Sequence, residues 1–267
     1  MRVVRLSGCL TVAALLAMSL ASCSSTDGTA TPAPSTRVVT VTASPSASAS
    51  SAAPSTTTAT SSAYTATTAR ITGANQRAAW DVTIPQLSGG TPAVTAEFNQ
   101  SMRAALQDQI DAQYDPHSGF TLSNGYSKGP FHIGQRVISA EQITGWIANP
   151  PGAHGDSLIS TVTIDADNAK PITLQDAFGN LDAGLQRLSS EAAKILPTTN
   201  AGPEYQREGM APTLTNYANW TASPDGMRIH FGDYQVGAYA AGLITITVPW
   251  SALSDVLAPG MQDVLSS

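Results

Sequence analysis

Ser157 lies in the block Gly155-Asp156-Ser157-Leu158. A serine there can attack an acyl carbon only if a histidine stands close enough to take its proton. An Asp-x-x-His further along the chain could supply such a base, with the Asp orienting the imidazole. The position three before His230 is Met227, so the pair is missing, and no Gly-x-Ser-x-Gly elbow occurs. Ser157 is the one catalytic candidate, for weak carboxylester hydrolysis, and it has no visible partner. The four histidines, His117, His132, His154 and His230, show no metal-ligand spacing. His230 alternates with Ile229 and Phe231, which predicts an exposed strand face. Asp165-x-Asp167-Asn168 opens like a calcium loop but has Lys170 where the tight turn needs Gly. It also lacks the closing Glu, the nearest acid being Asp176; it reads as a β-turn. No Gly-rich phosphate loop follows a strand. Neither a metal nor a cofactor is expected. Tyr234 and Tyr239 stand among Gly232, Gly237 and Gly242. There, aromatic bodies with polar tips suit a binding surface, or pack over a sheet edge and fix the loop.

The two cysteines, Cys9 and Cys23, belong to the start of the chain. Arg2 and Arg5 precede an apolar run from Leu10 to Leu20. That run is shorter than the roughly 20 residues a membrane span needs, and reads as the core of a signal peptide covering residues 1–22. Leu20-Ala21-Ser22-Cys23 resembles the lipobox of bacterial lipoproteins. That likeness implies cleavage before Cys23, a diacylglyceryl thioether on its sulfur and palmitate-type acylation of its amine. Two or three acyl chains, at about 0.8 kcal/mol per buried CH₂, make a stable anchor. The expectation is a lipid-anchored protein on the extracytoplasmic face of the cell membrane. With Cys9 discarded and Cys23 modified, the body keeps no thiol for a disulfide, a zinc site or a nucleophile.

Residues 23–69 form the lipidated Cys and a tether. From Ser24 to Ala69, 39 of 46 residues are Ser, Thr, Ala or Pro. Such a tract has too few large apolar groups to offset its ordering entropy and is expected to be disordered. As a coil it would span ~37 Å. Arg37-Val38-Val39-Thr40-Val41 is its one β-like patch, and Thr beside Pro offers sites for O-glycosylation if the chain is secreted. The remaining residues, 70–267, are the folded body. The whole chain has 267 residues and a net charge of −6; three of the 13 Lys/Arg and one of the 19 Asp/Glu precede residue 70, leaving 10 against 18. An acidic body argues against nucleic acid, where phosphate neutralisation dominates affinity, and suits a basic partner.

Hydrophobic period sets the elements. Trp80, Val82 and Ile84 alternate with polar residues as a strand that Pro85 stops. Phe98, Met102, Leu106 and Ile110 recur every four residues on a helix of about 17 residues, capped by Thr95 and ending before Pro116. Arg136–Ser139 and Ile143–Ile147 are β-rich, and Leu158, Ser160, Val162 and Ile164 share one strand face. Asp165 to Lys170 is a turn, and Leu174–Phe178 a short helix. A second long helix from about Ala183, capped by Asp182, carries Leu185, Leu188, Ala192 and Ile195 and ends at Pro197. Tyr217–Ala222 and Met227–Phe231 are strands joined by Ser223-Pro224-Asp225-Gly226, a turn in which Pro presets φ and Gly relieves the far side. Leu243–Val248 is a further strand, and Ser251–Leu257 a last helix. Runs of strands around two main helices predict an α+β fold: a mostly antiparallel sheet with the two helices packed on it.

In that order of elements, the run from Phe231 to Gly242 (Phe-Gly-Asp-Tyr-Gln-Val-Gly-Ala-Tyr-Ala-Ala-Gly) followed by Val248-Pro249-Trp250-Ser251-Ala252-Leu253 resembles the C-terminal extracellular domain of RsiV-like anti-sigma factors. Gly152-Ala153-His154-Gly155 and Ile172-Thr173-Leu174-Gln175-Asp176-Ala177-Phe178 fit the same domain. Ile84-Pro85-Gln86-Leu87-Ser88-Gly89 with Asn99 resembles its N-terminal half, which also occurs beside peptidoglycan deacetylases, and mycobacterial secreted immunogenic proteins look similar. The likeness spans about 80–260. It implies an extracellular sensor domain that binds lysozyme; the cytoplasmic and membrane-spanning parts of such sensors are absent. The block at Ser157 is similar to that of GDSL hydrolases, but those carry it early in a doubly wound α/β domain, an alternation missing here. The reading is therefore a monomeric surface lipoprotein whose body binds an envelope ligand, a lysozyme-like protein or a cell-wall glycan. Ester hydrolysis through Ser157, or mere structural and antigenic exposure, are the alternatives.

Overall fold

The computed structural model describes residues 63–267 except Tyr114 and Pro116. Cys23, its leader and the tract up to residue 62 lie outside the described residues. The first two strands, β1 (Thr65–Ala74) and β2 (Ala78–Ser88), form an antiparallel hairpin in which Thr65 pairs Ser88 and Ala74 pairs Ala79. The folded part thus takes in Thr65–Ala69, the end of the Ser/Thr/Ala/Pro tract, because β2 offers them a ladder. Contrary to the sequence expectation, β2 runs through Pro85. Along this strand Thr83 and Leu87 turn their N–H groups away from β1, to Asn124 Oδ1 at 2.6 Å and Asn99 Oδ1 at 2.7 Å. Pro85 lies between them with the same parity, where the sheet has no strand to bond, so its missing N–H interrupts no ladder.

Helix α1 (Pro92–Ala112) starts three residues before the expected Thr95 cap. Pro92 in the first turn has a preset φ and leaves no donor orphaned, while Thr95 Oγ1 donates to Gly89 O at 2.6 Å. Phe98, Met102, Leu106 and Ile110 are buried against the sheet as their spacing predicts. Next come β3 (Gly119–Asn124), β4 (Phe131–Ile133), β5 (Val137–Asn149), β6 (Asp156–Asp165) and β7 (Lys170–Pro171). The two β-rich stretches around 136–147 are one strand, β5. The sheet order is β1-β2-β3-β5-β6-β7, with β4 beside β5; the β2–β3 pair alone is parallel.

Helix α2 (Leu174–Ala177) is held by a capping box: Asp176 accepts from the Thr173 hydroxyl at 2.6 Å and from its N–H at 2.9 Å. These bonds keep the Asp176 carboxyl below its ordinary value. Helix α3 (Leu181–Ile195) is capped by Asn180, not Asp182: the Asn180 side chain accepts from Ala183 N at 2.9 Å. A three-stranded antiparallel sheet follows, order β10-β9-β8, from β8 (Trp220–Ser223), β9 (Gly226–Phe231) and β10 (Ile244–Pro249). Tyr217, expected to open β8, sits in a 3-10 turn instead, its ring edge-on to Phe231 and its hydroxyl donating to Met210 O at 2.7 Å. The expected last helix is shorter, α4 (Trp250–Leu253), and α5 (Met261–Leu265) was not foreseen.

The architecture is therefore α+β, mostly antiparallel, with α1 and α3 the main helices. One core lies between α1 and the large sheet; the other gathers α3, α4 and the small sheet. Between them runs a polar seam. The outer edge of β8 stands on the large sheet: Trp220 N donates to Thr161 Oγ1, and Ser139 Oγ both accepts from Ala222 N and donates to Ala222 O, each at 3.1 Å. Here His230 departs from expectation. It is 1% exposed, with Nδ1 3.1 Å from Glu141 Oε1 and 3.2 Å from Thr245 Oγ1, and Nε2 2.9 Å from Thr221 Oγ1. Ile229 and Phe231 face the helical core, as their spacing indicates. The opposite face of β9, which would meet solvent in a lone sheet, is roofed by β5.

Candidate functional site

Three short segments meet at the start of β6. The loop before it brings His154, the loop after β9 brings Asp233 and Tyr234, and the 3-10 turn Tyr239–Ala241 brings Tyr239. The ring of Tyr239 stacks on His154 at 4.2 Å between centroids and on Tyr234 at 5.4 Å. Tyr239 donates its hydroxyl to Gly155 O at 2.8 Å, and the Tyr234 hydroxyl lies 3.1 Å from His154 Nε2. His154 Nδ1 is 3.6 Å from Asp156 Oδ1. Asp233 Oδ2 accepts the backbone N–H of Ser157 at 2.7 Å, which fixes the loop after β9 to the edge of the large sheet.

Gln235 organises that loop. It donates Nε2 to Gly209 O at 2.9 Å and Asn216 O at 3.0 Å, and accepts Gly232 N–H at 3.0 Å. Tyr234, held between these anchors, takes φ +61°, a left-handed conformation that bulky side chains adopt only when their surroundings impose it. Its ring stays 48% exposed. Of the three punctuating glycines, Gly242 has φ +67° and Gly237 lies against Ala201; Gly232 has neither feature.

A cavity of about 330 Å³ opens beside this stack, lined by Tyr126, Ser157, Asp233 and Tyr239 among others. Tyr126 is 96% exposed. Lys and Arg are absent from the lining. Partial burial, then the negative charges of Asp233 and Asp156 and the neighbouring tyrosine oxygens, raise the Tyr239 hydroxyl above its ordinary pKa, so it stays a neutral donor.

The structure thus brings Ser157, Tyr234 and Tyr239 together. Yet among the described residues no hydrogen bond joins the Ser157 hydroxyl to a histidine: His154 faces Tyr234 and Asp156, and His230 is buried on Glu141. Asp165 accepts from Asp167 N, Asn168 N and Asn168 Nδ2, closing a turn, while Asp167 pairs with Arg136 at 2.7 Å. Those carboxylates are satisfied by the chain itself. Among the described residues no cluster of three His, Cys, Asp or Glu forms, and no helix is long and apolar enough to cross a membrane. Sequence reasoning missed the parts of His154, Asp233 and Gln235, which bond to residues 19 to 80 positions away.

Residues 175–251, which include α3, the small sheet and the Tyr loop, match a family model described as "Protein of unknown function (DUF3298)". No curated protein matches. Similar solved structures include a DUF3298 family member from Bacteroides fragilis, 14% identical, covering 78% of this chain and 99% of that one with a TM-score of 0.45. Another, from Pseudomonas aeruginosa, is 12% identical and covers 75% of this chain and 96% of that one with a TM-score of 0.48.

Proposed function

We propose that the chain is a surface lipoprotein, anchored through Cys23, whose body is of the RsiV-like type and binds an envelope ligand without chemistry on it. The observation that carries this reading is the stack of His154, Tyr239 and Tyr234 beside an acidic, aromatic cavity. Rigid tyrosines supply large contact area at little entropic loss. The carboxylates of Asp233 and Asp156, with no cation in the cavity lining, suit lysine or arginine side chains of a basic protein such as lysozyme. A cell-wall glycan is the second reading, favoured by Tyr126 and Tyr234, whose exposed rings can stack against a sugar face. Ser157 supplies its backbone N–H to the architecture, and ester hydrolysis would need a base beside its hydroxyl.

Calorimetric titration of the protein with lysozyme, and separately with chitin-type oligosaccharides, separates the two ligand classes. A lysozyme complex that weakens as salt rises is the expected result; heats equal to buffer dilution in both titrations refute the binding role. Intact mass of the membrane-extracted protein tests the anchor, which predicts a terminus at Cys23 carrying a diacylglyceryl group.

A further inference from the structure

The large sheet has two open edges. One is β1; the other is β6, whose short partner β7 covers only Ile164 and Asp165. Ala166 N donates to Arg136 O, next to β5, so the even-numbered residues of β6 bond to β5 and the odd-numbered ones turn their N–H and C=O groups outward. The outward groups are taken at both ends of the strand: Ser157 N by Asp233, and Thr163 O by Ile172 N at 2.8 Å. Between these stops the N–H and C=O of Ile159 and of Thr161, and the N–H of Thr163, have no partner among the described residues.

This open stretch lies along a cavity of about 470 Å³. Both sides of the strand contribute walls: Ser101 of α1 on the side of Val162, and Leu214 and Trp220 on the side of Thr161, whose Oγ1 accepts from Trp220 N. The cavity therefore sits over the edge of the strand, where the unbonded backbone groups point. Its lining holds no charged residue, although acids outnumber bases in the body. A charged side chain seated there would lose its hydration without gaining a partner. Thr163 is 5% exposed and its hydroxyl is buried with nothing bonded to it, which asks for a hydrogen-bonding side chain directly opposite.

We propose that this slot takes an uncharged, extended five-residue segment of a partner protein as an added antiparallel strand. Two residues of such a strand, opposite Ile159 and Thr161, each exchange both backbone bonds with them, and the residue opposite Thr163 accepts its N–H. The closed ends set the length, since a strand running further meets Asp233 at one end and Ile172 at the other. A Thr or Ser facing Thr163 answers its hydroxyl, and β-branched side chains suit both the strand conformation and the walls of Leu214, Ile172 and Trp220. The segment is neutral where the ligand proposed for the rim is basic, so the two sites select different chemistry.

The test is residue-resolved hydrogen exchange on the full chain, with and without a millimolar excess of the capped peptide acetyl-Thr-Ile-Thr-Ile-Thr-amide. With peptide, the amides of Ile159, Thr161 and Thr163 should exchange about tenfold or more slower, with Leu158 and Ser160, already bonded to β5, unchanged. The Pro-centred peptide acetyl-Thr-Ile-Pro-Ile-Thr-amide, which lacks the donor for Thr161 O, should protect none of them. Equal rates with and without the first peptide, or equal protection by the second, overturn the proposal. So does protection that needs no peptide and rises with protein concentration, which would place a second copy in the slot.

Discussion

The seam and the rim of this protein are built from the same kinds of residue and put them to opposite uses. In the seam His230, Glu141 and Thr221 converge between the two sheets, out of water and bonded to one another, with exposed Thr245 at the margin 3.2 Å from His230 Nδ1. At the rim His154, Asp156, Asp233, Tyr234 and Tyr239 converge as well, yet Tyr234 stays exposed and a cavity opens beside them, walled by Asp233 and Tyr239. Polar groups that answer each other in the dark specify how two layers join. Polar and aromatic groups that converge but remain in reach of water are available to a third party. Burial, not residue type, tells a structural histidine from a ligand-facing one.

The contrast breaks most sharply at the seam. Glu141→Ala removes one member of a buried pair and should lower unfolding free energy by about 3–5 kcal/mol, read from urea denaturation. Replacing both members, Glu141→Leu with His230→Met, should recover most of the loss. If the double variant is no better than the single, the pair does more than fill the seam. A smaller effect belongs to the support of the rim. Gln235→Ala leaves the carbonyls of Gly209 and Asn216 without their donor and should cost about 1–3 kcal/mol. It should also loosen Tyr234, seen as faster exchange of the amides of residues 232–237.

At the rim itself the sign of the comparison reverses. Tyr234→Ala should shift stability by no more than about 0.5 kcal/mol while weakening ligand binding by tenfold or more, as loss of an aromatic anchor does. The smallest effect comes from the exposed ion pairs. Asp81 and Asp255 are held below their ordinary value of 3.8 by hydrogen bonds from Arg70 and Arg187. Their folded-state pKa is lowered, so what they contribute is present above 3.8 and lost as pH falls through the lowered value. Solvent screening keeps that contribution small. Thermal melts from pH 5 to pH 2 should show Arg70→Ala and wild type converging as acid removes the pair.

How far the sequence speaks follows from which interactions are local. The stripe Phe98, Met102, Leu106, Ile110 announces α1 because four positions are one helical turn, and Leu185, Leu188 and Ala192 announce α3 likewise. Helix starts were misplaced by a few residues because several polar residues near each start could cap, and only geometry selects Asn180 over Asp182. Pro85 looked like a stop because a single strand cannot show which of its N–H groups face a partner. His230 looked exposed because alternation reveals two faces but not what roofs the second. The rim was half legible: Tyr234 and Tyr239 stood out among glycines, whereas Asp233 and His154 acquire meaning only once β6 and the loop after β9 are side by side.

One measurement bears most directly on the rim as the binding surface. Lysozyme is titrated calorimetrically into wild-type protein and into the Tyr234→Ala/Tyr239→Ala variant at equal salt, with the unfolding midpoint of each recorded. Wild type should give saturable heat and the variant little or none, with its Tm within a few degrees of wild type. Undiminished heat from the variant would contradict it.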